Sequence, residues 1–400
     1  MQQQTKAEDA ARVLKLVDQL LEEFPPATTP ARKFLEEQFD RGLAWVHHPT
    51  GLGGLGLDLT LQPAINAQLA LAGAPDPFES NPIGHGMCGP TIAAWGTDAQ
   101  RAMLRPLFSS EEVWCQLFSE PGAGSDLAGL ATRARRDGDN WVVNGQKVWT
   151  TMAHEARYGL LIARTDPTLA KHAGMSAFVV DMHAPGVEVR PLVQMTGEAE
   201  FNEVFLTDVQ LPGDALVGEV GQGWKVAITT LMNERVSIGG AAPPQGSGPV
   251  EHLVDAYREL RDDDPEAAED YTDTVVRLWV RAEMLRLLNL QLGQQRTEGD
   301  PGPEGSISKI LAADLNKDIY ATLLDVMGPQ SLLYEGYTMT RPPVAHTYTS
   351  PQKAFLRSRA NSIEGGTSEV MKNVVAERIL GLPGDVRVDK GIAWQEIPRN

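Results

Sequence analysis

The chain has 400 residues, 42% hydrophobic and 22% charged, with 35 basic against 53 acidic side chains and a formal net charge of −18. That length suggests two or three domains and a large buried core, and the composition is ordinary for a soluble globular protein. The negative charge argues against nucleic acid or an anionic membrane as partner, and an anionic ligand must find a local basic pocket. No apolar run reaches the ~18 residues of a membrane span. The opening residues lack the basic start and apolar core of a secretory signal, so cytoplasmic residence is expected. Cys88 and Cys115 have neither metal-ligand spacing nor a disulfide framework and read as buried structural thiols.

The first 112 residues read as a mostly helical domain. Residues 7–23 carry Val13, Leu14, Leu16, Val17, Leu20 and Leu21 at helical spacing, and Pro25-Pro26 ends that helix. A second helix starts at Pro30, and others are expected over 59–71 and 98–107. Residues 75–77 and 81–86 read as loops. Gly51-Leu-Gly-Gly-Leu-Gly56 fits the spacing of a dinucleotide-binding turn, with Asp76 downstream. Its preceding residues make a poor buried strand, so a glycine turn between helices is expected.

From about residue 113 to 222 the period switches to two. Strands are expected over 141–144, 158–164, 176–181, 187–192 and 203–211, separated by Gly, Pro, Asn and Asp turns. Strands this short and this closely spaced make a compact β-domain or barrel. From 223 to 384 the pattern is helical again, with helices expected over 224–238, 270–295, 306–327 and 368–380. Loops are expected at 240–249 and 261–265. Arg378, Gly381 and Pro383 mark the last helix end. The tail, 385–400, is polar and expected to be loosely ordered.

The most informative stretch is Trp114-Cys-Gln-Leu-Phe-Ser-Glu-Pro-Gly-Ala-Gly-Ser-Asp126, followed by a run ending Asn144-Gly-Gln-Lys-Val-Trp-Thr-Thr151. An apolar strand breaks at Pro121 into a turn whose glycines let backbone come close to a ligand. Ser125 and backbone N–H groups can then point at a phosphate or a flat polar heterocycle. Trp149 offers a ring face beside Thr150 and Thr151. These pieces suit a flavin dinucleotide; they also suit a surface hairpin with an ordinary glycine turn. Lys147, Arg235, Arg357 and Arg359 are the basic residues nearest the motifs. Each alone also fits a solvated or helix-capping charge.

These two segments resemble the flavin-binding β-domain signature of the acyl-CoA dehydrogenases. A third segment, Arg357-Ser-Arg-Ala-Asn-Ser-Ile-Glu-Gly-Gly-Thr-Ser-Glu-Val-Met through Pro383, resembles that family's closing segment. The resemblance covers roughly residues 30–383. It implies an α+β fold: an N-terminal α-helical domain, a middle β-barrel-like domain and a C-terminal α-helical bundle. It also implies FAD as cofactor, an acyl-CoA substrate and an electron-transferring flavoprotein as acceptor. A homodimer or homotetramer is implied, with a hetero-oligomer as the other possibility.

Carried over residue by residue, the resemblance implies flavin contacts at Gln116, Leu117, Phe118, Ser119, Gly124 and Ser125. Trp149, Thr150 and Thr151 would cover the ring, and Thr367 and Glu369 would meet the cofactor from the last helical segment. Ser125, Arg235, Gly365 and Gly366 would contact substrate. Desaturating an acyl thioester needs a base for the α-proton, a hydride acceptor, and donors at the thioester oxygen. In many members the base is a Glu just before Gly-Thr of the closing segment. Here that position is Gly365, and Glu364 comes one residue too early. A minority place the Glu on the first helix after the β-domain, before an Arg. Leu231-Met-Asn-Glu-Arg-Val236 fits, so Glu234 is the expected base and Gly365 clears space for it. His85 and His154 are other conceivable bases, though each fits a solvated or core histidine better. Within the family, moving the base to this helix goes with branched, long or sterol-derived acyl groups.

Two family motifs are missing. The region 249–260 has no Arg-x-x-Phe-Gly, and Gln-x-x-Gly-Gly-x-Gly becomes Asp325-Val-Met-Gly-Pro-Gln-Ser331. Both fall where the family contacts the ADP half of FAD across a subunit boundary. The alternatives are therefore a non-catalytic partner subunit of a hetero-oligomer, or an oxygen-using monooxygenase or oxidase of the same fold.

Overall fold

Apolar periodicity changes twice along the chain, and the fold changes with it. The structure is a computed structural model that describes residues 2–238, 244–295, 303–342, 350–384, 386 and 389–398. Side chains are described from residue 7, to 233 in the helix ending at 238 and to 294 in the helix ending at 295.

The N-terminal helices are α1 (Gln2–Glu23), α2 (Ala31–Asp40), α3 (Gln62–Leu71), α4 (Pro77–Ser80), α5 (Gly89–Trp95), α6 (Asp98–Arg101) and α7 (Leu104–Phe108). Helix α1 buries Val13, Val17 and Leu20, one apolar stripe, against Phe34, Leu43 and Ile65. The single helix expected over 98–107 is broken in two. Pro106 has no N–H, and its ring opposes the carbonyl of Ala102 one turn earlier. The loop expected at 81–86 instead winds into a π-helical turn, Gly84–Cys88, that runs on into α5. Buried Asn81 holds it. Its amide oxygen accepts from the N–H groups of Gly84 and Trp114 at 3.1 Å each, and its amide nitrogen donates to the Leu107 carbonyl at 2.9 Å. The glycine turn at 51–56 is a packed turn, as expected. Ala44 and Trp45 N–H groups both donate to the Gly53 carbonyl, and a Cβ on Gly54 would lie 2.1 Å from the His48 carbonyl.

The middle domain contains β1 (Trp114–Leu117), β2 (Arg133–Asp137), β3 (Asn140–Thr151), β4 (Tyr158–Arg164), β5 (Met175–Asp181), β6 (Val187–Pro191), β7 (Phe201–Leu211) and β8 (Leu216–Val217). They form one sheet in the order β6-β7-β3-β2-β4-β5-β8, with β1 also paired to β4. Strands β1 and β2 run parallel to β4 along the same edge: Trp114–Leu117 against Tyr158–Leu161, then Arg133 against Arg164. The chain thus leaves the sheet after Leu117 and rejoins it at Arg133. The excursion between carries the glycine-rich turn. Strand β2 has no counterpart among the expected strands, because only Ala134 of its five residues is buried.

Alternation divides the sheet into two faces. Leu117, Leu161, Phe178, Val180 and Val204 fill one apolar cluster. Trp114, Leu160, Ile162, Ala177 and Val179 pack the other face against the N-terminal helices and against Val226 and Ala227. Each Val, Leu, Ile or Phe among them contributes about 1.5–3 kcal/mol on burial. Both cysteines are buried, as expected.

The C-terminal helices are α8 (Gly223–Ile238), α9 (Pro249–Asp263), α10 (Pro265–Gln295), α11 (Gly305–Val326), α12 (Pro351–Ser358) and α13 (Ser368–Val374). Leu253, Val275, Leu278, Ile319 and Leu323 form the core of the α9–α10–α11 bundle. The loop expected at 261–265 shrinks to Asp264, since Pro265 can open a helix where no N–H bond is needed. Of the loop expected at 240–249, residues 240–243 lie outside the described residues. Helix α13 passes into a π-helical turn, Val375–Ile379, and Gly381 (φ 65°) follows the end as expected. Among the described residues, no helix is long and apolar enough to cross a membrane.

Residues 389–398 of the tail depart from the expectation of loose order, while 385, 387, 388, 399 and 400 lie outside the described residues. Ala393 bridges to Ala170, Trp394 N–H donates to the Leu169 carbonyl at 2.8 Å, and Gln395 N–H to the Pro167 carbonyl at 3.0 Å.

Gly54→Ala tests the packed turn. Crowding of this kind costs about 1–3 kcal/mol, so the urea midpoint should fall while ligand affinity of the folded protein stays unchanged.

Candidate active site

A cleft of about 2430 Å³ opens where the 118–132 excursion, the end of β3, helix α8 and the segment after α12 meet. One wall is set by a buried ion pair. Lys147, fully buried on β3, donates to the Glu120 carboxylate at 2.8 Å and to the Phe118 carbonyl at 2.9 Å. Glu120 also accepts from the N–H groups of Ala131 and Thr132 at 2.6 and 2.9 Å. The two ends of the excursion are thereby drawn to one point. Burial opposes ionisation of Glu120, but the Lys147 ammonium, Thr132 and the Ala131 N–H outweigh it and hold its carboxyl below the ordinary value. Lys147 is thus a structural charge, not a ligand contact.

Trp149 stands on a bulge. Lys147 faces Val204 and Thr150 faces Asn202, so β3 carries one residue more than β7 between them. The extra residue puts Trp149 at φ 59°, a left-handed conformation rare for a bulky side chain. Its ring is 59% exposed toward the cleft and meets the edge of Phe201 at 5.9 Å. The Val148 N–H bond to the Ser119 carbonyl, 2.9 Å, ties the bulge to the excursion.

Gln116, Phe118, Ser119, Gly124 and Ser125 line one wall, Trp149 and Thr151 continue it, and Gly365, Gly366 and Thr367 lie on the wall carried by the segment after α12. Three expected cofactor residues lie off these walls. Leu117 is fully buried in the sheet cluster, because alternation turns it away from Gln116 and Phe118. Thr150 is buried for the same reason, its carbonyl accepting from Asn202 at 3.1 Å. Any ligand contact at these two runs through main chain. Glu369 sits exposed in the first turn of α13.

The closing segment makes a tight turn. Gly365 (φ 62°) and Gly366 (φ 92°) are both left-handed, and a Cβ on Gly366 would meet Met371 at 2.4 Å. Lys309 on α11 donates to the Gly366 carbonyl at 2.5 Å, and Thr367 caps α13 through the Val370 N–H at 3.2 Å. Glu364 is held by both terminal guanidinium nitrogens of Arg357, at 3.0 and 2.7 Å, and by Asn361 at 2.8 Å. Arg357 also reaches Glu200 at 3.4 Å and lies over the Phe201 ring. Two carboxylates therefore offset its charge. Arg359 stacks over Phe355 and donates to the Lys317 carbonyl.

Glu234 and Arg235 are on α8, but their side chains lie outside the described ones. Trp224, Ile228, Leu231 and Met232 of that helix line the cleft. Neither candidate histidine lines it. His85 is stacked on Trp45 at 5.5 Å, and burial pushes it down to about 4. His154 shares its Nδ1 with Asn202 at 3.2 Å and is lowered by burial. Sequence reading missed Glu120, Glu200, Phe201 and Arg164. Glu120 stands inside the glycine-turn motif but was given no role there, the other three stand in no motif, and of those three only Arg164, a charged residue closing an apolar strand, gave any signal.

These three layers, with a ring face and a glycine turn converging on one cleft, define an enzyme that holds a flat cofactor between a β-domain and helices. Family models for the acyl-CoA dehydrogenase N-terminal, middle and C-terminal domains match residues 4–112, 115–209 and 221–380. The acyl-CoA dehydrogenase IpdE1 of Mycobacterium tuberculosis is 39% identical over 349 residues, covering 86% of each chain. Two solved structures share the fold: the Tcur3481–Tcur3483 steroid ACAD (TM-score 0.72, 26% identity, 95% of this chain and 98% of that one) and the ChsE4–ChsE5 complex from Mycobacterium tuberculosis (TM-score 0.70, 28% identity, 94% and 98%). The chain belongs to the acyl-CoA dehydrogenase family, and it is an FAD-dependent oxidoreductase. The cleft fits that cofactor. It is large, it offers an exposed indole face, and open space surrounds Gly122 and Gly124 of the turn beside Ser125.

Glu120→Gln leaves the Lys147 ammonium buried without its countercharge and should cost about 3–5 kcal/mol in urea unfolding. The wild-type contribution is full above the unfolded carboxyl value of about 4.3 and is lost as pH falls through the lower folded value. The stability gap between wild type and Glu120→Gln should therefore narrow on acidification. Trp149→Gly relieves the left-handed backbone but removes the ring. Thermal stability should hold, while flavin affinity falls roughly tenfold by fluorescence titration.

Proposed function

We propose that the chain desaturates an acyl-CoA thioester between its α- and β-carbons, with Glu234 as the base. One observation carries this reading. Glu364, the carboxylate beside the closing turn, is locked by Arg357 and Asn361, and Gly365 has no side chain. The turn supplies no free carboxylate. Helix α8 lines the cleft with Trp224, Ile228 and Leu231, and position 234 follows Leu231 by three residues, one turn on.

Glu234 takes the α-proton, which requires a desolvated carboxylate whose affinity for protons is raised. The Gly365 N–H donates to the thioester oxygen as enolate character develops. Gln116, Phe118, Ser119, Gly124, Ser125, Trp149, Thr151 and Thr367 hold the cofactor, and the main chain at Leu117 and Thr150 assists. Glu369 contributes from the first turn of α13. Ser125, Arg235, Gly365 and Gly366 hold the substrate. Bound FAD supplies the hydride acceptor. An electron-transferring flavoprotein then takes the electrons. The acyl group is bulky and steroid-derived; the supports are the steroid ACAD likeness and the expected base position on the helix.

A second reading, a subunit that needs a different chain to complete its site, is favoured by the two missing motifs and by the two-chain composition of both similar structures.

Purified protein should be yellow. Glu234→Gln should keep the flavin but slow its bleaching by acyl-CoA about 10²- to 10⁴-fold, and an unchanged rate removes Glu234 from its role. In a panel of acyl-CoAs, steroid-derived thioesters should bleach fastest. Protein that is colourless alone and yellow only with a second chain supports the hetero-oligomer.

A further inference from the structure

The tail beyond Gly384 touches the cleft, with Asp389, Lys390 and Gly391 on its rim. Its anchor is Trp394, which reaches the excursion between β1 and β2 in two ways. Its indole N–H donates to the Gly129 carbonyl at 3.3 Å. Its ring lies 4.7 Å from the guanidinium carbon of Arg164. Arg164 is 2% exposed, and its guanidinium donates to the Ala128 carbonyl at 2.6 Å, the Leu130 carbonyl at 3.3 Å and the Lys171 carbonyl at 2.5 Å. One buried cation therefore gathers three carbonyls, and the indole closes over it. A second clasp lies beside the first. Lys171 pairs with Asp126, next to Ser125, at 2.9 Å, and also with Asp389 of the tail.

We propose that the tail segment 389–397 is a strap that completes the cofactor and substrate cleft, and that Trp394 is a positioning residue for the Ser125–Leu130 stretch. The proposal rests on reading that cleft as the flavin and acyl-CoA site. Glu120 and Lys147 fix the two ends of the excursion, while its middle is held by Arg164 and Lys171, and both of these are covered from the tail. Removing the strap frees the stretch that presents Ser125 and leaves the sheet untouched. The acyl-CoA site loosens without loss of the fold.

The test compares wild type, Trp394→Ala and Trp394→Phe as full chains, with a truncation after Gly384 as a fourth protein. Phe keeps a ring over Arg164 and loses the indole N–H. In ligand-free protein, hydrogen exchange of the 126–130 amides should speed up about tenfold in Trp394→Ala, the scale of one cation–π contact plus one hydrogen bond. Amides of β4 and β5 should not change. Trp394→Phe should lie between, and truncation should equal or exceed Trp394→Ala. Flavin dissociation and the acyl-CoA KM should rise in the same order, with kcat changed less. Wild-type exchange at 126–130 in both Trp394→Ala and the truncation overturns the strap. Wild-type protein that takes up no flavin, alone or with a second chain, overturns the site reading and leaves the exchange result standing as its own measure of the strap. If Trp394→Ala does not fold, Trp394→Phe decides: faster exchange at 126–130 alone supports the proposal, and none overturns it.

Discussion

The cleft depends on one ammonium buried inside a β-sheet. Taking Lys147 out of water costs several kcal/mol unless its charge and donors are met. Glu120 and the Phe118 carbonyl meet them, and both lie on the chain that has just left the sheet. The penalty of an unmet charge therefore enforces a loop shape. Glu120 spends its remaining acceptor capacity on Ala131 and Thr132, so the departure and return of the excursion are fixed together. A purely apolar contact would resist separation but would not specify which carbonyl faces which way.

The same strand carries the opposite kind of constraint two residues later. Lys147 is held by partners, while Trp149 is held in a conformation its own backbone disfavours. The bulge sends the indole outward at the point where the excursion leans on β3 through Ser119. Rigid floor and protruding ring are thus parts of one local arrangement, and this wall of the cleft is shaped by the protein's own contacts. The opposite wall follows a similar logic. Two left-handed glycines bend the closing segment, Met371 leaves no room at Gly366, and Arg357 with Asn361 takes the nearby carboxylate out of play.

Much of this was legible in the sequence. The two changes of period marked the three layers, and the long helices followed from apolar spacing. The glycine turn, Trp149 and the closing Gly-Gly-Thr all reached the cleft. What escaped has physical reasons. Strand β2 is charged on nearly every residue, so no alternation announces it. The turn at Gly84–Cys88 depends on Asn81, whose four partners lie on three different segments. Leu117 and Thr150 sit among residues that line the cleft but alternate away from it. Residues 389–398 looked loose because the tail is polar, while they are held by main-chain bonds to 167–170 and by an indole meeting a guanidinium more than two hundred residues earlier.

The exposed indole of Trp149 has a spectroscopic corollary. Trp114, Trp141 and Trp45 are sealed in the interior at 0%, 4% and 6% exposure, whereas Trp149 stands 59% open to solvent. Its emission should therefore lie to the red of theirs and be the more accessible to iodide or acrylamide. Anything flat that settles against that wall will dim or shift this component first. The protein carries its own optical reporter of occupancy, without a label and without turnover.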